Sequence, residues 1–213
     1  MKVGVIGSGD VAKVLASGCL KHRHSVTIGT RSPEKLKEWA AENKGATVSS
    51  FAGAAEFGEL IMLAVKGNVA ADALRQAGAK NLAGKVIMDA CNPIADAPPV
   101  NGVLQFYTTQ NNSLMEQLQR EFPEAKLVKA FNSVGAPLMV NPHYADGKPT
   151  MFICGNDAGA KKQVSQICEQ FGWEVADMSK VESARAIEPL CALWCQPGFA
   201  RNQWTHAFKL LLK

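Results

Sequence analysis

MKVGVIGSGDVA, residues 1–12, joins a short apolar run directly to a glycine-rich turn. Val3–Ile6 reads as a buried strand, and the helical pattern from Asp10 to Lys21 puts Val11, Leu15, Gly18 and Cys19 on one face, as packing on a sheet requires. A second strand follows at Ser25–Ile28. Gly7-x-Gly9-x-x-Ala12 therefore sits between a strand and a helix inside a βαβ unit, the setting in which this spacing cradles a dinucleotide pyrophosphate. Gly7 permits the tight turn, Gly9 lets a phosphate approach the backbone, and Ala12 keeps the helix close to the sheet. The free N–H groups and positive dipole end of the helix favour an anion there. A purely structural βα turn is the alternative.

The next informative position comes about twenty residues on, where NAD-binding proteins usually offer a carboxylate to the ribose 2′-hydroxyl. This chain has Gly29-Thr30-Arg31-Ser32-Pro33-Glu34-Lys35. Thr30 and Ser32 supply hydroxyls, Arg31 a guanidinium that can pair with phosphate and stack on adenine, and Lys35 a second cation. The set favours NADP(H) over NAD(H), against the plainer reading of surface and capping residues. Ser32 is also a candidate N-cap, with Pro33 at the first position of a helix predicted to run to Glu42.

Further along the chain, strands are predicted at Thr47–Val48, Leu60–Val65, Val86–Ala90 and Lys126–Ala130, with helices at Ala70–Gln76 and Ser113–Glu121. Strands alternating with helices imply an α/β, doubly wound parallel sheet. Thr150–Cys154 and Trp173–Val175 are further strands around a helix at Ala158–Phe171, and a last helical region surrounds Ile187–Trp194. The Pro- and Asn-rich segment Asn92–Tyr107 reads as a long loop at the carboxyl edge of the sheet, where ligands bind.

At 213 residues, 47% hydrophobic, the chain can bury one domain plus a small appendage. A net charge of +4 from scattered residues gives no nucleic-acid stripe and suits a small anionic ligand. No run approaches the ~18 uncharged apolar residues of a membrane span, and no leader-like segment opens the chain. The expectation is a cytoplasmic protein without nucleic-acid or membrane partners. The six cysteines include no C-x-x-C pair and lie mostly in apolar segments, so they read as buried reduced thiols rather than metal ligands. Cys191 and Cys195, at helical i, i+4 spacing, fit packing as readily as redox chemistry.

GSGDVA (residues 7–12), IGTRSPEKL (28–36), LAVKGN (63–68), DACNP (89–93), VKAFNSVGA (128–136) and SARAIEPLCALW (183–194) resemble, in order, the coenzyme F420-dependent NADP oxidoreductases. The module is also similar to the cytosolic domain of the STEAP ferric reductases. The resemblance implies a Rossmann NADP-binding domain over residues 1–180 with a small C-terminal helical extension over 181–213, and a homodimer. It also implies hydride transfer to or from a deazaflavin (coenzyme F420) or flavin. Carried over, Ser8, Gly9, Asp10 and Val11 hold the pyrophosphate, Thr30, Arg31 and Lys35 the 2′-phosphate, and Ala64, Val65 and Lys66 the adenosine and pyrophosphate side. Asn92, Pro93, Ala130, Phe131 and Asn132 flank the nicotinamide. Lys66 departs from the proline common in relatives, which leaves either a phosphate contact or a solvated charge.

No Ser/His/Asp set, paired carboxylates or metal-ligand spacing stands out, which suits hydride transfer between two carriers. His22 and His24 read as surface or capping residues, and His206 as capping or packing the last helix. Trp173, Trp194, Phe199 and Trp204 read as core or interface anchors rather than ring shields. Lys209 and Lys213 read as a solvated basic end. A small-molecule hydride acceptor is implied. Reduction of a small carbonyl or imine would require His143, Tyr107 or Tyr144 as the acid, and a third reading is an NADPH-binding sensor without turnover.

Overall fold

Six parallel strands form the main sheet of the computed structural model, which describes residues 1–211 and residue 213. They are β1 (Lys2–Ile6), β2 (Ser25–Gly29), β3 (Ala46–Ser49), β4 (Leu60–Leu63), β5 (Val86–Asp89) and β6 (Lys126–Lys129), in the order β3-β2-β1-β4-β5-β6. The chain builds outward from β1 to β3, then crosses back to place β4 on the other side of β1. That reversal opens a crevice above the carboxyl ends of β1 and β4. Val3, Val5 and every residue of β4 are buried, as strands covered on both faces require. The expected doubly wound α/β fold is present.

The first helix, α1 (Asp10–Lys21), buries Ala12, Leu15, Ala16, Gly18 and Cys19 against the sheet, while Val11 stays half-exposed at the crevice. The helix predicted over residues 33–42 is two pieces, a 3₁₀ turn over Pro33–Leu36 followed by α2 (Lys37–Glu42). Ser32 does not cap it; instead the Thr30 hydroxyl accepts from the Ser32 N–H at 3.0 Å. A helix absent from the sequence reading, α3 (Phe51–Phe57), starts at a Ser50 cap and packs its backbone on β1. A Cβ on Gly4 would stand 2.1 Å from the Ala54 carbonyl oxygen, so this close approach depends on glycine. Next come α4 (Ala70–Ala77), a single unexpected turn α5 (Ala79–Leu82), and α6 (Leu114–Glu121).

Beyond β6, the strands β7 (Thr150–Ile153) and β8 (Glu174–Asp177) pair with each other in parallel around α7 (Ala158–Gln170). They do not extend the main ladder; one antiparallel bridge, Lys129 with Cys154, joins the two sheets. The C-terminal region forms α8 (Ala184–Ile187) and α9 (Leu190–Arg201). Val181, Ala184 and Ile187 share one apolar cluster with Ile61, Ile87 and Leu127 of the main sheet. No helix among the described residues is long and apolar enough to cross a membrane.

Among the peripheral expectations, those for His24 and Lys209 change, while the packing expected of His206 and Trp173 and the buried thiols are found. His24 is buried, not a surface residue: its Nε2 lies 2.8 Å from Gln170 Oε1. His206 packs on α9, its ring stacked on Trp194 at 5.0 Å, with Trp194 Nε1 donating to the His206 carbonyl at 2.8 Å. Lys209 is not a free end, because its ammonium pairs with Glu174 and donates to the Lys148 carbonyl. Trp173 is buried edge-on against Phe131, centroids 6.1 Å apart. Cys19, Cys154 and Cys168 lie in the core, where burial pushes their thiols up.

Candidate functional site

A cleft of about 870 Å³ runs along the carboxyl ends of β2, β1, β4 and β5. Its walls are the β1–α1 turn (residues 7–11), the end of β2 with the following 3₁₀ turn (Thr30, Arg31, Ser32, Lys35), the β4 end (residues 64–67), and Ala90, Asn92 and residues 94–97. Its size is that of a site for a ligand larger than a single sugar or amino acid.

The β1–α1 turn has the shape its glycines suggest. Gly7 adopts φ +139°, and a Cβ on it would meet the Ala64 carbonyl oxygen at 2.1 Å, so no other residue fits. Gly9 differs: a Cβ there would meet nothing within 4 Å, although the residue lines the cleft. The room beside Gly9 belongs to the cleft. Gly9 is also the N-cap of α1 and has no side chain to cap it, so the first-turn N–H groups face the cleft without a side-chain acceptor. These features fit the pyrophosphate of a dinucleotide.

At the β2 end, Arg31 and Lys35 are exposed, and neither has an ion-pair partner among the described residues. Two unpaired cations above a strand end fit a phosphate monoester. Phe51, the first residue of α3, supplies an apolar wall that the sequence reading missed. Its signal was Ser50, a cap at the end of β3.

Across the cleft mouth, Lys66 reaches Asp96 at 3.8 Å, and Asn68 Nδ2 donates to the same carboxylate at 2.8 Å. Lys66 is thus neither free nor buried. Gly67 is tightly enclosed: a Cβ on it would stand 2.1 Å from the Asn92 carbonyl oxygen and 2.9 Å from the Tyr107 hydroxyl. Burial foremost pushes the Tyr107 phenol up to about 12, so it is protonated at neutral pH.

Behind this end lies a buried charge cluster that the sequence reading did not assemble. Lys129 Nζ lies 2.6 Å from Asp89 Oδ2 and 3.0 Å from Glu188 Oε1, a buried ion pair with each, and donates to the Cys91 carbonyl at 2.9 Å. Burial works to lower the Lys129 pKa, yet Asp89 and then Glu188 outweigh it and hold the ammonium charged.

Not all expected residues reach the cleft. Pro93, Ala130, Phe131 and Asn132 lie behind its wall, and only Asn92 of the nicotinamide set lines it. Ala130, Phe131 and Asn132 are buried because the chain folds inward after β6. Phe131 takes φ +60°, a strained conformation for an aromatic residue, with its ring packed on Phe171 and Trp173. Asn132 is tied to Asn92 by two hydrogen bonds, of 2.7 and 3.2 Å. Of the candidate acids, His143 is exposed and lines no part of the cleft, Tyr144 is half-buried away from it, and Tyr107 stands at its rim through Gly67.

A β3-β2-β1-β4-β5-β6 parallel sheet with a glycine cradle at its switch point defines a Rossmann nucleotide-binding protein. More narrowly, the chain belongs to the coenzyme F420-dependent NADP oxidoreductase family, one of NADP-dependent oxidoreductases. The family's sequence profile matches residues 2–93. A solved structure from Arthrobacter sp. FB24, provisionally assigned as an F420-dependent NADP-reductase, is 35% identical, with each chain fully covered and a TM-score of 0.93. Among curated relatives, the rat metalloreductase STEAP3 is 31% identical over 89% of this chain and 36% of its own length. Human metalloreductase STEAP2 is 30% identical over 88% of this chain and 35% of its own. The chain spans about a third of the length of these two relatives.

Proposed function

We propose that the cleft binds NADP(H) and that the protein passes hydride between NADPH and a deazaflavin (coenzyme F420) or flavin acceptor. One observation carries the cofactor reading: the unpaired cations Arg31 and Lys35 line the same cleft as the uncapped start of α1. In this reading Thr30, Arg31, Ser32 and Lys35 take the 2′-phosphate and residues 7–11 the pyrophosphate. Ala64, Val65 and Lys66 flank the adenosine and pyrophosphate side. Asn92 faces the nicotinamide, with Pro93, Ala130, Phe131 and Asn132 behind it. Bound NADPH supplies the hydride; the side chains bind, orient and exclude water, which is what transfer between two carriers requires of a protein. The acceptor class is supported by the family's description and by that of the Arthrobacter relative. Residues 1–180 act as the cofactor-binding body and 181–213 as the extension that completes it. A homodimer is supported by exposed Leu193 and Phe199 on α9, beside exposed Trp204.

Titration with NADPH and NADH tests the cofactor reading. NADPH should bind more tightly, and Arg31→Ala should remove about 1.5–3 kcal/mol of that preference, the usual loss of a charged hydrogen bond. Equal affinities in the unaltered protein would end this reading. Rapid mixing of the NADPH complex with the deazaflavin, free flavin or small carbonyls then identifies the acceptor, and oxidation by carbonyls alone would refute the hydride-carrier assignment.

A further inference from the structure

We propose that Lys129, clamped between Asp89 and Glu188, is a positioning residue for the nicotinamide end of the cleft, acting through the backbone of Cys91 and the Asn92–Asn132 pair. The inference rests on the reading of the cleft as an NADP(H) site.

The contacts form a closed circuit. Asp89 Oδ1 accepts from the Cys91 N–H at 2.9 Å while Lys129 Nζ donates to the Cys91 carbonyl at 2.9 Å, so one buried ion pair holds residue 91 from both sides. The next residue, Asn92, enters the cleft wall. Its Nδ2 donates to the Asn132 carbonyl at 2.7 Å, and Asn132 Nδ2 donates back to Asn92 Oδ1 at 3.2 Å. Asn132 Nδ2 also donates to the Ile187 carbonyl at 2.9 Å, and Ile187 precedes Glu188, which returns to Lys129 at 3.0 Å.

Two observations point to a positioning role. Asn132 Oδ1 is buried with no hydrogen-bond partner, while its Nδ2 has two acceptors that prevent the amide from turning over. Between Lys129 and Asn132 the chain holds Phe131 at φ +60°, a strain that persists only where the surroundings over-determine it. Stability alone does not call for charges here. A buried ion cluster is often no more stabilising than apolar residues of similar size, and the neighbouring Met88 and Val128 are apolar. What the charges add is direction, since dispersion packing does not specify where a peptide N–H and carbonyl point.

Two ligands separate the roles. Adenosine 2′,5′-bisphosphate reports the phosphate end only, and the emission of bound NADPH reports the nicotinamide end. In Lys129→Met, bisphosphate affinity measured by calorimetry should match the unaltered protein, NADPH affinity should fall roughly tenfold, and the emission should move toward that of free NADPH. Asp89→Asn keeps Lys129 beside Glu188 and should show the same pattern more weakly, which decides the matter if Lys129→Met does not fold. Unchanged NADPH affinity and emission in the folded variants overturn the positioning role alone. Equal weakening of both ligands overturns it too, by showing a general loss of structure. Failure of the unaltered protein to bind the bisphosphate removes the NADP(H) reading and this inference with it.

Discussion

At the start of α6 the free N–H groups are filled from every side, whereas at the start of α1 no side chain fills them. Glu188 Oε2 and Oε1 accept from the Leu114 and Met115 N–H groups, each at 2.9 Å, and Ser113 Oγ accepts from Glu116 N at 3.2 Å. Glu116 reaches back to the Ser113 N–H at 2.9 Å, completing a capping box, and Arg185 pairs with it. At α1, Gly9 offers nothing, and Asp10, the acidic residue of its first turn, is exposed. Both helices expose the same orphan donors by construction. One end is closed by the chain's own carboxylates and buried; the other has no side-chain acceptor and lines the cleft. The saturated terminus serves the fold, and the proposed binding role belongs to the uncapped one.

Either helix can be altered to test this contrast. The largest effect should come from Glu188→Ala, which strands two buried N–H groups and removes one counter-charge of Lys129. It should cost on the order of 3 kcal/mol in chemical denaturation. A cost near zero would show that α6 does not depend on that cap. At α1, Gly9→Glu puts a carboxylate where the cleft has room for it. The melting temperature should hardly move, while NADPH affinity drops about a hundredfold, ~2.7 kcal/mol, through like-charge repulsion. An unaltered affinity would mean that α1 does not face a phosphate.

The smallest effect concerns pH. Chiefly through its hydrogen bonds with Arg185, Glu116 is held down at about 2, below its ordinary 4.5. A depressed carboxylate contributes stability that is fully present above 4.5 and fades as the pH falls toward about 2. Glu116→Gln should flatten the acid limb of a stability-against-pH curve in that window. A limb that keeps its slope would place the acid sensitivity elsewhere.

The open terminus was legible in the sequence and the closed one was not, for a physical reason. β1, the glycine turn, α1 and β2 are consecutive, and each follows from local pattern, so Gly7, Gly9, Arg31 and Lys35 could be placed at one strand edge from the sequence alone. The family resemblance carried Ala64–Lys66 and Asn92 to the same cleft; the strand-end rule agreed for Val65 and Asn92 but also pointed to Ala130, which is buried behind the wall. Glu188 gave no such signal, because its partners Asp89, Lys129 and Leu114 come from distant parts of the chain. The run Phe51–Phe57, rich in Ala and Gly, has too little polar contrast to announce α3. Nothing in Ala130-Phe131-Asn132 announces a left-handed phenylalanine, since that conformation is imposed by Phe171, Trp173 and Met151 around it. β7 and β8 were recognisable as strands, but their pairing with each other depends on α7 packing beside them.

The lateness of Glu188 in the chain has a consequence for how the protein comes to exist. During synthesis from the N-terminus, all six strands of the main sheet leave the ribosome before the second carboxylate of Lys129 does. The half of the cleft bearing Gly9 and Arg31 can be built from early, local contacts, whereas α6 waits for its cap until the last helices emerge. In synthesis order, the residues that build the Gly9 and Arg31 end of the cleft are therefore available well before the glutamate that closes α6 and pairs with Lys129.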